Sequence, residues 1–251
     1  MMRKILDWLA YYLFKPRKWN KCKKALCWEN SARTRHMNNL SPHMPSSEFE
    51  RRVKRMVREG CDTAHVFLVN KADGEFAAGH GGYTPDGNLD MMRQRIAYMR
   101  KHGLAVVLWL TADDGNDWAQ DLAKDIRAKL AVWSCLFRDA SAVVVGLEAN
   151  EYWSRATARA VAAACRSGLP ARIGIGIHMT SDRFDYALDD VYDFFCFQCK
   201  TTLATAEVAR KVRDCIAKVG KPVNAFEVAW DADKARAKAM LDAGAFGVGI
   251  W

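Results

Sequence analysis

At 251 residues, half of them hydrophobic and 27% charged, the chain carries enough apolar material for one large folded body and too much for a disordered segment. Its formal net charge is +9, but residues 1–24 hold eight Lys or Arg against one acid, which leaves only +2 for the other 227 residues. Basicity confined to an arm excludes nucleic-acid binding by the body.

In chain order, the opening MMRKILDWLAYYLFKPRKW has an apolar run interrupted by Asp7, too short for the ~20 residues of a membrane span and unlike a cleavable signal peptide. Synthesis in the cytoplasm is therefore expected, in a cytosolic or virus-encoded setting. Ile5, Trp8, Leu9, Tyr12 and Leu13 recur on one face of a helix. Docking of that helix on the body is favoured over a helix lying on an anionic membrane, although the Lys/Arg cluster after it offers contact to an anionic surface. Residues 1–24 thus read as an amphipathic helix and basic arm, and 25–251 as the body.

From residue 47 onward, segments of helical period alternate with apolar runs. SSEFERRVKRMVREG (helix) is followed by TAHVFLVN (strand), then NLDMMRQRIAYMRKHG (helix) by LAVVLWL (strand). NDWAQDLAKDIRAKLAVWSCLFRD reads as helix, AVVVGLEA as strand, YWSRATARAVAAACRSG as helix and ARIGIGIH as strand. A short helix at 182–188 precedes the strand VYDFFCFQC; TAEVARKVRDCIAKVG (helix), KPVNAFEVAW (strand), DADKARAKAMLDAG (helix) and AFGVGIW (strand) complete the chain. With a strand at KALCWEN the strands number eight. Continuous apolar runs are what parallel strands covered on both faces require, and eight βα alternations predict a (β/α)8 TIM barrel. An open doubly wound sheet is the alternative, but the Gly-rich phosphate turn it would carry after its first strand is missing, and no cofactor is expected. With the last strand ending the sequence, the N-terminal helix is expected to fill the place of the eighth barrel helix.

Cysteines 22, 27, 61, 135, 165, 196, 199 and 215 are scattered through apolar patterns and read as reduced core thiols. Cys196 and Cys199 form a C-x-x-C, but with no second close pair and a strand-like context they are expected in the core, and no metal site is expected.

Chemistry in a barrel of this kind sits at the C-terminal strand ends. Those ends carry Trp28, Glu29 and Asn30; Asn70; Asp113 and Asp114; Glu148, Asn150 and Glu151; His178; Gln198 and Lys200; Glu227; and Trp251. Two glutamates on strands four and seven, facing across the mouth, suit glycoside hydrolysis: one carboxyl protonates the leaving oxygen while the other attacks the anomeric carbon. Carboxyls ~5–5.5 Å apart retain configuration through a covalent glycosyl-enzyme. The Gly-rich stretch at 70–88, with His80 and Tyr83, reads as a solvated loop, with a loop over the mouth that covers substrate as the alternative.

VVVGLEANEYW resembles the strand-four segment of the retaining barrel glycosidase clan that includes cellulases and β-mannanases, where an Asn-Glu pair ends the strand. KPVNAFEVAW is similar to its strand seven, NLDMMRQRIAYMRKHGLAVVLWL to its helix two and strand three, and AGAFGVGIW to its strand eight, which ends in a Trp. The resemblance spans roughly residues 25–251. It implies Glu151 as acid/base, Glu227 as nucleophile, Asn150 on the 2-hydroxyl of the reacting sugar and Trp251 beneath its ring, with an oligo- or polysaccharide as substrate. Trp28, Asn70, Glu148, His178 and Gln198 are further substrate-binding candidates. The chain departs from the clan in having Tyr152 where a Pro usually follows Asn-Glu, and in lacking an evident strand-three His and strand-six Tyr; Glu148 is a competing acid. Three other readings stand beside it: a catalytically inactive barrel that binds glycan or builds an assembly, a metal enzyme using Asp113, Glu148 and Glu227, and a Schiff-base lyase using Lys200.

Overall fold

The computed structural model describes residues 25–27, 40–69, 83–110, 125–181, 184–228 and 234–250, with 25–27, 227, 228 and 250 described by backbone alone. The expected N-terminal helix and arm lie outside these residues. The strands are β1 (Ala25–Cys27), β2 (Thr63–Phe67), β3 (Ala105–Trp109), β4 (Ala142–Val145), β5 (Gly174–Thr180), β6 (Phe194–Gln198), β7 (Val223–Val228) and β8 (Gly247–Ile250). β2 to β8 form a curled sheet in sequence order, all parallel. The three residues of β1 pair with β2 on one side, and Ala25 and Leu26 pair with β8 on the other, closing the barrel.

The helices are α1 (Ser46–Arg58), α2 (Leu89–Lys101), α3 (Ser134–Phe137, after a helical run at 125–132), α4 (Ala149–Tyr152), α5 (Arg155–Gly168), α6 (Thr205–Val219) and α7 (Lys234–Asp242). Two of these boundaries correct the sequence reading. The strand read through AVVVGLEA stops at Val145, because Gly146 (φ 68°) and Glu148 (φ 49°) turn the backbone into the left-handed region. The single helix read through YWSRATARAVAAACRSG is two elements: Trp153 is extended, and Ser154 caps α5 by accepting a hydrogen bond from the Thr157 N–H at 3.1 Å.

Because strand side chains alternate, the described side chains of the sheet feed two cores. Outward residues such as Val66, Leu108, Val143, Ile175, Ile177, Phe195 and Ala225 pack under the helices with Phe49, Met92, Val161 and Val212. Inward residues Phe67, Val107, Trp109, Ala142, Val144, Phe194, Cys196 and Phe226 fill the barrel. Their bulk is accommodated by missing side chains opposite: a Cβ at Gly176 would lie 2.3 Å from the Phe194 ring, and one at Gly249 2.1 Å from the Phe226 ring. Gly249→Ala is therefore expected to overpack the interior, at a cost of about 1–3 kcal/mol. A denaturation midpoint equal to that of the natural chain would count against this packing.

A buried arginine ties the loop leaving β6 to the body. Arg236 of α7, 4% exposed, donates to the carbonyls of Lys200 (2.6 Å), Thr201 (3.3 Å) and Leu203 (2.8 Å) in the loop leaving β6. Backbone carbonyls buried away from water need such donors. Of the described thiols, those of Cys61, Cys165, Cys196, Cys199 and Cys215 are buried as expected, whereas Cys135 is exposed. Burial pushes the Cys165 and Cys215 thiols up to about 12. No described helix is long and apolar enough to cross a membrane.

Candidate functional site

The C-terminal mouth of the barrel brings Glu148, Asn150, Glu151, Thr180 and Gln198 together above a buried histidine. The exit of β4 begins at Gly146, where a side chain has no room: a Cβ would meet the Trp153 ring at 2.8 Å and the Ala149 Cβ at 2.9 Å. Glu148 follows with φ 49° and ψ 40°, the one non-glycine residue with positive φ among those described. That conformation costs ~1–3 kcal/mol for a side-chain-bearing residue and persists only where neighbours impose it.

The neighbours are visible. The Glu148 N–H donates to His178 Nδ1 at 2.8 Å, and Glu148 Oε1 accepts from Gln198 Nε2 at 3.0 Å. A carboxylate only accepts, so the Gln198 amide must turn its NH2 toward Glu148. Its Oε1 is buried with no hydrogen-bond partner among the described residues.

His178 was expected at the end of the fifth strand; β5 runs two residues further, and His178 is fully buried inside the barrel. Its ring lies 5.1 Å from that of Trp109 and 6.0 Å from that of Phe226. His65 of β2 joins the cluster, accepting the Trp109 indole N–H on Nδ1 at 3.0 Å. Desolvation pulls both imidazoles down to about 3, and for His178 the nearby His65 adds to the effect. Both are therefore neutral. Because Nδ1 of His178 accepts, its proton sits on Nε2, which is buried with no partner among the described residues.

α4 carries Asn150 and Glu151 to the end of β5. Asn150 Oδ1 accepts from the Thr180 N–H at 2.8 Å, and its Nδ2 donates to the Thr180 carbonyl at 3.2 Å and to Oγ1 at 3.1 Å. Thr180 Oγ1 donates in turn to Glu151 Oε1 at 2.6 Å. A cavity of about 80 Å³ lies behind this turn, lined by Asn150, Trp153, Arg155, Asp185 and the outward residues Ile177 and Met179. An Arg155–Asp185 ion pair of 2.8 Å stands at it.

Glu227 occupies the fifth position of β7, and the β7–β8 register shifts between Ala225 and Val228. Such irregularities are frequent at barrel rims and beside active sites. Trp28, Asn70, Asp113, Asp114, His80 and Trp251 lie outside the described residues. Tyr83, expected in a loop over the mouth, is 6% exposed and packs in the outer core. Lys200 is exposed beyond the end of β6. Among the described residues, no group of three or more His, Cys, Asp or Glu is placed to hold a metal ion. Thr180 is the site residue that sequence reasoning missed. Its signal is position: it stands two residues beyond His178 on the same strand face.

No protein-family model matches the chain, and no curated protein matches it. Its likeness is to solved structures. A GH5_18 variant from Streptomyces cattleya in complex with Manb1-4GlcNAc gives a TM-score of 0.58 at 14% identity, over 82% of this chain and 65% of that one. A GH5_18 variant from Bifidobacterium longum subsp. longum, also with Manb1-4GlcNAc, gives 0.64 at 10% identity, over 91% and 68%. DHODH from Eimeria tenella in complex with ferulenol gives 0.60 at 12% identity, over 100% and 85%. The chain thus spans about two thirds of the length of the GH5_18 proteins. At these identities the likeness is one of fold, an α/β barrel shared by glycoside hydrolases and by other enzymes.

Proposed function

We propose that the protein is a glycoside hydrolase that cleaves an oligo- or polysaccharide with retention of configuration. The observation that carries this reading is the placement of Glu151 just past β4 and Glu227 near the end of β7, both at the mouth where parallel barrels do chemistry. Glu227 attacks the anomeric carbon as the C–O bond to the leaving group breaks, and Glu151 gives that oxygen its proton. Glu151 then takes a proton from water, whose oxygen attacks the glycosyl-enzyme and frees Glu227. Because two of the structural neighbours were solved with Manb1-4GlcNAc, β-mannosides are the first substrates to try.

The test is proton NMR of the first-formed hemiacetal from an aryl β-mannoside or β-glucoside. The β-anomer is expected, and first release of the α-anomer would overturn double displacement. A second reading, a barrel that binds glycan without hydrolysing it, is favoured by the inward positions of two strands. β3 offers Val107 and Trp109, and β6 offers Phe194, Cys196 and Gln198, with neither the His nor the Tyr of the resembled clan. Saturable glycan binding with no turnover across a broad panel would decide for it.

A further inference from the structure

We infer that β5 acts as a jig for the acid/base, with Thr180 as the positioning residue for Glu151 and His178 supporting the turn before it. The inference rests on the hydrolase reading above and adds residues that the resemblance does not supply. The exit of β4 is held by two side chains projecting from one face of β5. His178 takes the Glu148 N–H, fixing the left-handed step that redirects the chain. Two residues along, Thr180 takes both Asn150 and Glu151.

The hydrogen-bond directions at the Asn150 amide are forced. The Asn150 amide meets the Thr180 main chain with its oxygen on the N–H and its nitrogen on the carbonyl, so it docks α4 on the strand end as a short ladder rung would. Its NH2 also donates to Thr180 Oγ1, and that hydroxyl has one proton, which goes to Glu151 Oε1. At 2.6 Å this is a short O–H···O contact. With Oε1 held on Thr180, the rotation of the Glu151 carboxyl is fixed, as a group that must hand a proton to one particular oxygen requires. Asn150 is then a brace for the acid.

The distinguishing measurement is leaving-group dependence. A good leaving group departs without protonation, whereas a poor one needs the acid. Thr180→Val keeps the shape and removes the hydroxyl; it is expected to lower kcat/KM about tenfold on an alkyl or disaccharide glycoside and to leave kcat/KM on the 2,4-dinitrophenyl glycoside unchanged, because that ratio covers only the steps up to the glycosyl-enzyme and not the later one in which Glu151 acts as base. Thr180→Ser is expected to restore the poor substrate. An equal loss on both substrates, or none, would overturn the positioning role, since a general structural defect makes no distinction between leaving groups. Glu151→Ala is run alongside. If it shows leaving-group dependence and Thr180→Val does not, the jig alone fails. If Glu151→Ala shows none, or the natural chain hydrolyses neither substrate, the assignment of the acid fails and takes the inference with it.

Discussion

Glu227→Gln is expected to abolish hydrolysis while the protein remains folded, with a loss exceeding that of any other single replacement. In the proposed double displacement Glu227 is the nucleophile, so its loss removes the covalent route itself. Glu151→Gln is expected to lose on the order of 10²–10⁴-fold, the usual contribution of a general acid, and mainly on substrates with poor leaving groups. Azide separates the two roles chemically. With Glu227→Ala, azide takes the place of the missing carboxylate and yields a glycosyl azide of inverted configuration. With Glu151→Ala, azide attacks the accumulated glycosyl-enzyme and yields one of retained configuration. The opposite assignment of products would exchange the roles of the two residues. Glu148→Gln bears on the competing acid: if it, and not Glu151→Gln, carries the leaving-group dependence, the acid is Glu148.

The second large effect is on stability in mild acid. His65 and His178 are neutral in the folded barrel down to about pH 3, whereas in the unfolded chain they bind protons near pH 6.5. Between these values the unfolded state therefore holds up to two more protons than the folded state. Stability rises with pH across that window and falls as pH drops below 6.5. Well inside the window each histidine contributes about 1.4 kcal/mol per pH unit, so the pair removes about 4 kcal/mol between pH 7 and pH 5, a large share of a typical domain's stability. Urea midpoints recorded from pH 7 to pH 5 check this. His65→Asn should reduce the slope by about half, because its side-chain oxygen keeps an acceptor near the Trp109 indole N–H and does not titrate. An undiminished slope in that variant would remove His65 from the account.

Much of the barrel was legible because its strands are buried on both faces, so each appears as an unbroken apolar run between helices stopped by glycine. The Gly220 C-cap of α6, with φ 56°, is one such stop. The site was less legible, for reasons that can be located. Apolarity read straight through Val145, since nothing in Gly-Leu-Glu announces that a glutamate will take a left-handed conformation; the bond to His178 supports it, and that partner lies 30 residues away. The Ser154 cap that separates α4 from α5 was readable, with Thr157 three residues on, but the helical period on either side masked it. β5 was ended at His178, although Met179 outward and Thr180 inward continue its alternation. Whether His178 met solvent or the core depended on Trp109 and Phe226, contributed by β3 and β7.

Arg236 has a wider consequence. It stands on the helix that follows β7, yet it grips the carbonyls of the segment that follows β6. Two neighbouring walls of the mouth are thereby coupled through one guanidinium. Loss of that side chain would leave three carbonyls of the β6 exit without their donor, so the seventh βα unit sets the shape of the sixth as well as its own.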